Sequence, residues 1–128
     1  MIKHEAKDHT LVEAWMRNFL KERHGCAVEL KHLRGRNALP FSDLDPEQKE
    51  KLISYSQCFV WKLDDAGYRK KPFDIVGASG GAAFVAVRFP KVITIILIQD
   101  WIEEEERSSR KSITEERARK IAFDVINT

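Results

Sequence analysis

A chain of 128 residues with 43% hydrophobic and 33% charged side chains can bury a core and is not the composition of a disordered or fibrous protein. Twenty-two basic against twenty acidic residues leave a formal charge of +2, so the total carries no bulk signal of a polyanion binder. The distribution is more telling. Arg17, Lys21, Arg23, Lys31, Arg34 and Arg36 gather in the first third, and Arg69, Lys70 and Lys71 precede Asp74, while acids concentrate in 43–50 and 103–106. A basic face offset by acids elsewhere can hold a polyanion without a large net charge.

Cys26 and Cys58 stand in apolar, strand-like contexts without metal-ligand spacing, which fits two free thiols in a reducing compartment. His4, His9, His24 and His32 show no zinc pattern. The sequence lacks a signal-peptide pattern, and its longest apolar run, 92–98, is too short to span a bilayer. The expected location is the cytoplasm, away from membranes.

In chain order, Val12, Met16, Phe19 and Leu20 recur at helical spacing, which predicts a helix over 3–23 whose stripe runs back through His9 and Glu5. Thr10-Leu11-Val12-Glu13 also has the form of a capping box, which would start that helix at Leu11. Gly25 ends the segment, and 26–30 alternates as a strand. Residues 34–39 form a basic loop. Asp45-Pro46-Glu47-Gln48 is a helix start, with Asp45 as N-cap and Gln48 at the third position, leading to about Tyr55. Four strands follow at 58–63, 73–76, 82–89 and 92–98, the second and third joined as a hairpin by Ser79-Gly80-Gly81. A short helix over 101–107 and a second capping box, Ser112-Ile113-Thr114-Glu115, opening a helix to about Ala122, complete the chain. The fold class is α+β, one mixed sheet flanked by helices, over a single domain 1–128.

Glu29-Leu30-Lys31 is the most informative tripeptide. On a strand, Glu29 and Lys31 project to one side. A carboxylate beside an ammonium can hold a divalent cation and set a water against a phosphate, though an ordinary surface ion pair has the same spacing. Asp74 interrupts an apolar run, where an acid needs a partner or a metal, or else satisfies backbone donors at a strand edge. Glu5 falls on the inward stripe of the first helix and would need a cation there. Gln48 is explained by its cap alone. Ser42 could serve a turn or a phosphate.

Ala27-Val28-Glu29-Leu30-Lys31, then Leu39-Pro40-Phe41-Ser42, then Pro46-Glu47-Gln48 ahead of a helix, resembles the second half of the PD-(D/E)XK nuclease motif. The likeness is strongest to the Holliday-junction-resolvase-like branch of phages and bacteria. Lys71-Pro72-Phe73-Asp74 resembles the Pro-x-Asp element, and the likeness covers about residues 3–89. In that superfamily the Pro-x-Asp strand comes before E-x-K, whereas Asp74 follows Lys31. Pairing Asp74 with Ala86-Val87-Arg88 would restore the order but lacks the acid.

The resemblance implies a restriction-endonuclease-like core and a Mg²⁺- or Mn²⁺-dependent endodeoxyribonuclease acting on branched DNA as a homodimer. It implies Glu29, Asp74 and the Leu30 carbonyl as metal ligands and Lys31 as the residue that orients the attacking water. Gln48 would support Lys31 or a water, and Glu5 would be the first-helix acid. Arg34, Arg36, Ser42, Arg69, Lys70 and Lys71 would meet phosphates, setting affinity and not sequence choice. A nuclease-like module that only binds DNA or a protein is the alternative, and the 103–106 acids offer a third reading as a protein-interaction surface.

Overall fold

The computed structural model describes residues 3–21, 25–33, 37–57, 62–63, 74–75 and 81–128, and for 3–5, 62–63 and 74–75 it describes the main chain. Its centre is a pair of strands, β5 (Ala82–Phe89) and β6 (Val92–Leu97), rich in β-branched side chains and almost wholly buried. They run antiparallel through a tight turn, with Phe89 opposite Val92. Because both strands are apolar on both sides, each face of the sheet must be covered.

Two further strands extend the pair to the order β1–β5–β6–β8. β1 (Cys26–His32) lies parallel to β5, and β8 (Asp124–Asn127) lies antiparallel to β6. The result is the expected α+β architecture with a mixed sheet flanked by helices.

One face is covered by α1 (Lys3–Leu20). Val12 and Phe19 are buried against Phe84, Ala86, Ile93 and Ile95, with Trp15, Met16, Val28 and Leu30 packed around them. Trp15 meets Phe84 edge-on at 5.1 Å and donates its indole N–H to Asp124 Oδ2 at 2.8 Å. The opposite face, carrying Ala27, Val85, Val87 and Ile96, is covered by α2 (Pro46–Gln57), α3 (Ile98–Arg107) and α4 (Glu115–Ile121). Trp101 is fully buried there against Phe41. Among the described residues, no helix is long and apolar enough to cross a membrane. Cys26 is a free thiol whose pKa burial pushes up, which makes it a poor nucleophile.

Several local expectations are corrected. α1 begins near Lys3, as its apolar stripe predicts; the alternative start at Leu11 fails, since Thr10 lies inside the helix and its Oγ1 donates back to the Ala6 carbonyl at 3.1 Å. Glu13 is therefore no capping residue; it is exposed and pairs with His9 at 3.3 Å and Arg17 at 3.8 Å. The inward stripe continues back through Asp8, while His9 faces solvent. The expected hairpin of 73–76 with 82–89 does not form. Both edges of β5 are taken by β1 and β6, so β4 (Asp74–Ile75) pairs instead with β3 (Lys62–Leu63) as a separate ribbon.

The end of the basic loop becomes β2 (Ala38–Pro40), held antiparallel to β7 (Ser112–Thr114) by the burial of Leu39 and Ile113. A 3-10 turn, Phe41–Asp43, follows it. α3 starts at Ile98, three residues before the expected helix, and shortens β6 accordingly. At α4 the cap is Thr114, whose side chain accepts the Arg117 N–H, while Ser112 joins β7. β8 was not foreseen.

Glu104, buried at the foot of α3, accepts two hydrogen bonds from Arg117 of α4, both 2.8 Å, and lies 3.5 Å from Arg107. The Arg117 hydrogen bonds hold the Glu104 carboxyl below its ordinary pKa against the opposing effect of burial. A depressed folded pKa gives stabilisation that is present above the unfolded value and is lost as pH falls through the folded one. Glu104→Gln is therefore expected to lower the urea midpoint at pH 7, with the gap to wild type closing in acid. Gly25 and Gly81, at the starts of β1 and β5, lie beneath Tyr55 of α2, and a Cβ on Gly81 would overlap its ring at Cε1. Gly81→Ala should cost about 1–3 kcal/mol and less in a Tyr55→Ala background, a coupling that a double-mutant cycle measures.

Candidate active site

The alternation of β1 sends Val28, Leu30 and His32 toward α1, and Glu29 and Lys31 toward the layer containing α2. α2 opens with a reciprocal cap. Asp45 Oδ1 accepts the Gln48 backbone N–H at 2.8 Å, and the Asp45 backbone N–H donates to Gln48 Oε1 at 3.2 Å. The cap fixes the amide of Gln48 over β1. Its Oε1 also accepts from Lys31 Nζ at 2.9 Å, and its Nε2 donates to Glu29 Oε1 at 2.8 Å. Lys31 Nζ stands 3.3 Å from the same carboxylate oxygen, which closes a ring of three side chains.

A count of donors and acceptors shows what the ring leaves over. An ammonium has three hydrogens, and Gln48 and Glu29 take two of those on Lys31. Glu29 Oε2 accepts no hydrogen bond among the described residues, and the Glu29 side chain is 35% exposed, against 18% for Lys31. Among the described residues, a donor and an anionic oxygen without partners thus belong to neighbouring side chains on a partly exposed outer strand. Gln48 serves as cap and as bridge, so the two readings of it do not compete.

Glu29, Lys31 and Gln48 are brought together as the sequence suggested. Leu30 supplies its side chain to the α1 core, and its carbonyl lies between the two charged residues along the chain. Asp74 stands on the β3–β4 ribbon, opposite Leu63, and Glu5 lies in the first turns of α1; both side chains are outside the described residues. Arg34, Arg36, Arg69, Lys70 and Lys71 are also outside them. Ser42 is exposed on the 3-10 turn just ahead of the α2 cap.

For a divalent metal, the donors in view are Glu29 Oε2 and the Leu30 carbonyl; among the described residues no three acid, histidine or cysteine side chains converge. One carboxylate with a carbonyl suits a hard cation that keeps waters and takes further oxygens from a substrate phosphate. Both are hard oxygen donors of the kind Mg²⁺ and Mn²⁺ take, two in number among the described residues.

A second charged cluster escaped sequence reasoning. Asp8 of α1 is 1% exposed, and its Oδ2 lies 3.1 Å from His32 Nε2 and 3.3 Å from Arg88 Nε. Arg88 also donates to Thr128 Oγ1. His32 and Arg88 are paired across β1 and β5, on the face opposite Glu29 and Lys31. The cluster compensates a buried carboxylate and pins α1 to the sheet. Its available signal was spacing: Asp8 lies one turn before Val12.

Comparison with protein-family models, with characterised proteins and with solved structures found no match.

Asp45→Ala removes the side-chain acceptor of the cap and is expected to cost about 1 kcal/mol, read as a lower urea midpoint. The same variant should loosen the Gln48 bridge, visible as faster acylation of Lys31 by an amine-reactive probe followed by peptide mapping.

Proposed function

We propose that the chain is a metal-dependent endodeoxyribonuclease of the PD-(D/E)XK type, acting on branched DNA as a homodimer. The observation that carries this reading is the Gln48 amide, which binds Glu29 and Lys31 at once and, among the described residues, leaves one oxygen and one N–H of the pair without a partner. Resolving a four-way junction needs two symmetric cuts, which is the reason for a two-fold assembly.

Hydrolysis of a phosphodiester forms a bond from water oxygen to phosphorus and breaks the bond from phosphorus to the leaving oxygen. Mg²⁺ or Mn²⁺, when bound, supplies positive charge at the phosphate and makes water acidic near neutral pH. Glu29 Oε2 and the Leu30 carbonyl would hold the ion, with Asp74 as the proposed second acid. The remaining Lys31 N–H would orient the attacking water or meet the charge that gathers on the phosphate oxygens. Gln48 is a positioning residue: it fixes the Lys31 ammonium and keeps Glu29 Oε1 occupied, which would leave Oε2 for the ion.

A second reading, a nuclease-like module that binds DNA or protein without cutting it, draws on the placement of Asp74 on a ribbon separate from the sheet of Glu29. Of the third reading, a protein-interaction surface at 103–106, Glu103 and Glu106 remain exposed. Glu104 is buried with Arg117, Glu105 is paired to Lys49 at 2.8 Å, and Glu103 lies 3.9 Å from Arg107.

The test is cleavage of a synthetic four-way junction beside a matched linear duplex with Mg²⁺ or Mn²⁺. Paired cuts in the junction that fall by about 10²–10⁴-fold in Lys31→Ala are expected. Cutting of both substrates would keep the nuclease and remove junction selectivity. Binding in chelator without any cutting in metal would favour the non-catalytic module.

A further inference from the structure

We infer that the turn between α3 and β7, with Ser42 beside it, is a contact surface for the phosphate backbone of nucleic acid. The surface deepens the nuclease reading and rests on it. The turn is built by local hydrogen bonds: the Ser108 N–H donates to the Glu104 carbonyl, and the Arg110 N–H donates to Ser108 Oγ at 3.0 Å. Phe41 N–H donates to the Lys111 carbonyl at 2.9 Å, which ties the turn to the 3-10 segment carrying Ser42.

Two open clefts of about 380 Å³ each flank this turn and share Ser108, Ser109 and Arg110. The cleft on the Ser42 side adds Lys111 and a single acid, Glu105, which Lys49 already neutralises. Among the described residues, neither the Arg110 guanidinium nor the Lys111 ammonium has an ion-pair or hydrogen-bond partner. The second cleft carries Arg107 and Arg117 with Glu104 and Glu116, so its charge is partly matched and the Ser42 side has the freer cations.

Two cations without a partner among the described residues, in one cleft with Ser42 and Ser109, are the donor set a phosphate takes. Both clefts are open, and Ser42, Ser109, Arg110 and Lys111 are exposed, so the surface would meet a run of anions passing over it more readily than enclose one small ion. It also belongs to the layer of the protein that holds Gln48. β7 pairs with β2, and β2 leads through Ser42 directly into the Asp45–Gln48 cap. A backbone crossing Ser42 toward α2 would therefore arrive on the Glu29 and Lys31 side of the sheet.

The experiment is binding of a fluorescent duplex in EDTA across about 50–300 mM NaCl, for wild type and Arg110→Ala/Lys111→Ala. Each lost phosphate contact should lower the slope of log Kd against log salt by about 0.9, so the pair should lower it by about two. Dissociation constants should rise about tenfold or more at low salt with an unchanged urea midpoint. Arg110→Lys/Lys111→Arg, which keeps both charges, should restore the slope. A double-alanine variant with wild-type affinity and slope would overturn the surface while leaving the nuclease reading intact. Weaker binding by that variant, with a wild type that never cuts, would support the surface and overturn the catalytic reading. A wild type that binds neither this duplex nor a four-way junction in EDTA would overturn the surface.

Discussion

The requirement that β5 and β6 be buried on both faces organises everything else in the molecule. Two strands apolar on both sides cannot face water, so helices must lie above and below them. α1 takes one face and α2, α3 and α4 take the other. Once β6 occupies one edge of β5, the other edge is left for β1, which therefore becomes the outer strand on that side. An outer strand is the place in such a sheet where charged side chains can keep one end in solvent, and that is where Glu29 and Lys31 stand. The position of the candidate site follows from the greasiness of strands that contribute nothing to its chemistry.

β1 then carries charge on both of its faces, and the two sets are handled differently. His32 and Arg88 meet Asp8 beneath α1, where the carboxylate is buried and its Oδ2 meets both cationic side chains. Truncating one partner of such a group leaves a buried charge uncompensated, so the arrangement fixes where α1 must sit. On the other face the Glu29–Lys31 pair is half-exposed and only partly satisfied. The first cluster holds the strand in place; the second has capacity left for a ligand. A strand locked from behind gives the residues in front the fixed geometry that binding or catalysis needs.

Much of this was legible in the sequence. Period-two alternation after Gly25 and the Asp45–Gln48 cap are local signals, and they placed Glu29, Lys31 and Gln48 on the right elements. Their convergence could only be suggested, because Gln48 reaches Glu29 across 19 positions of chain through packing that no local pattern encodes. The short strands that were not foreseen share one cause. β2, β7 and β8 are three or four residues long and stabilised by partners distant in sequence, so their own side chains hardly distinguish them from loops. The false hairpin at Ser79-Gly80-Gly81 was a sound local turn signal overruled by competition for the edges of β5. Asp8 was passed over because the stripe was drawn through His9, one residue off, and a shift of one residue on a helix turns a side chain by about 100°.

These pairings also change what a ligand meets outside the fold. Glu104 with Arg117, Glu105 with Lys49, Asp8 with Arg88 and Glu29 with Lys31 cancel charge inside the fold or close against it. Pairs of this kind remove as many acids as bases from the account that an approaching ligand sees, since the field outside a tight pair falls away within a few ångströms in salt. What an approaching polyanion meets is set by the cations left over, and Arg110 and Lys111 are such a remainder. A net charge of +2 therefore does not describe the α3–β7 turn, where Arg110 and Lys111 have no acidic partner among the described residues to cancel them.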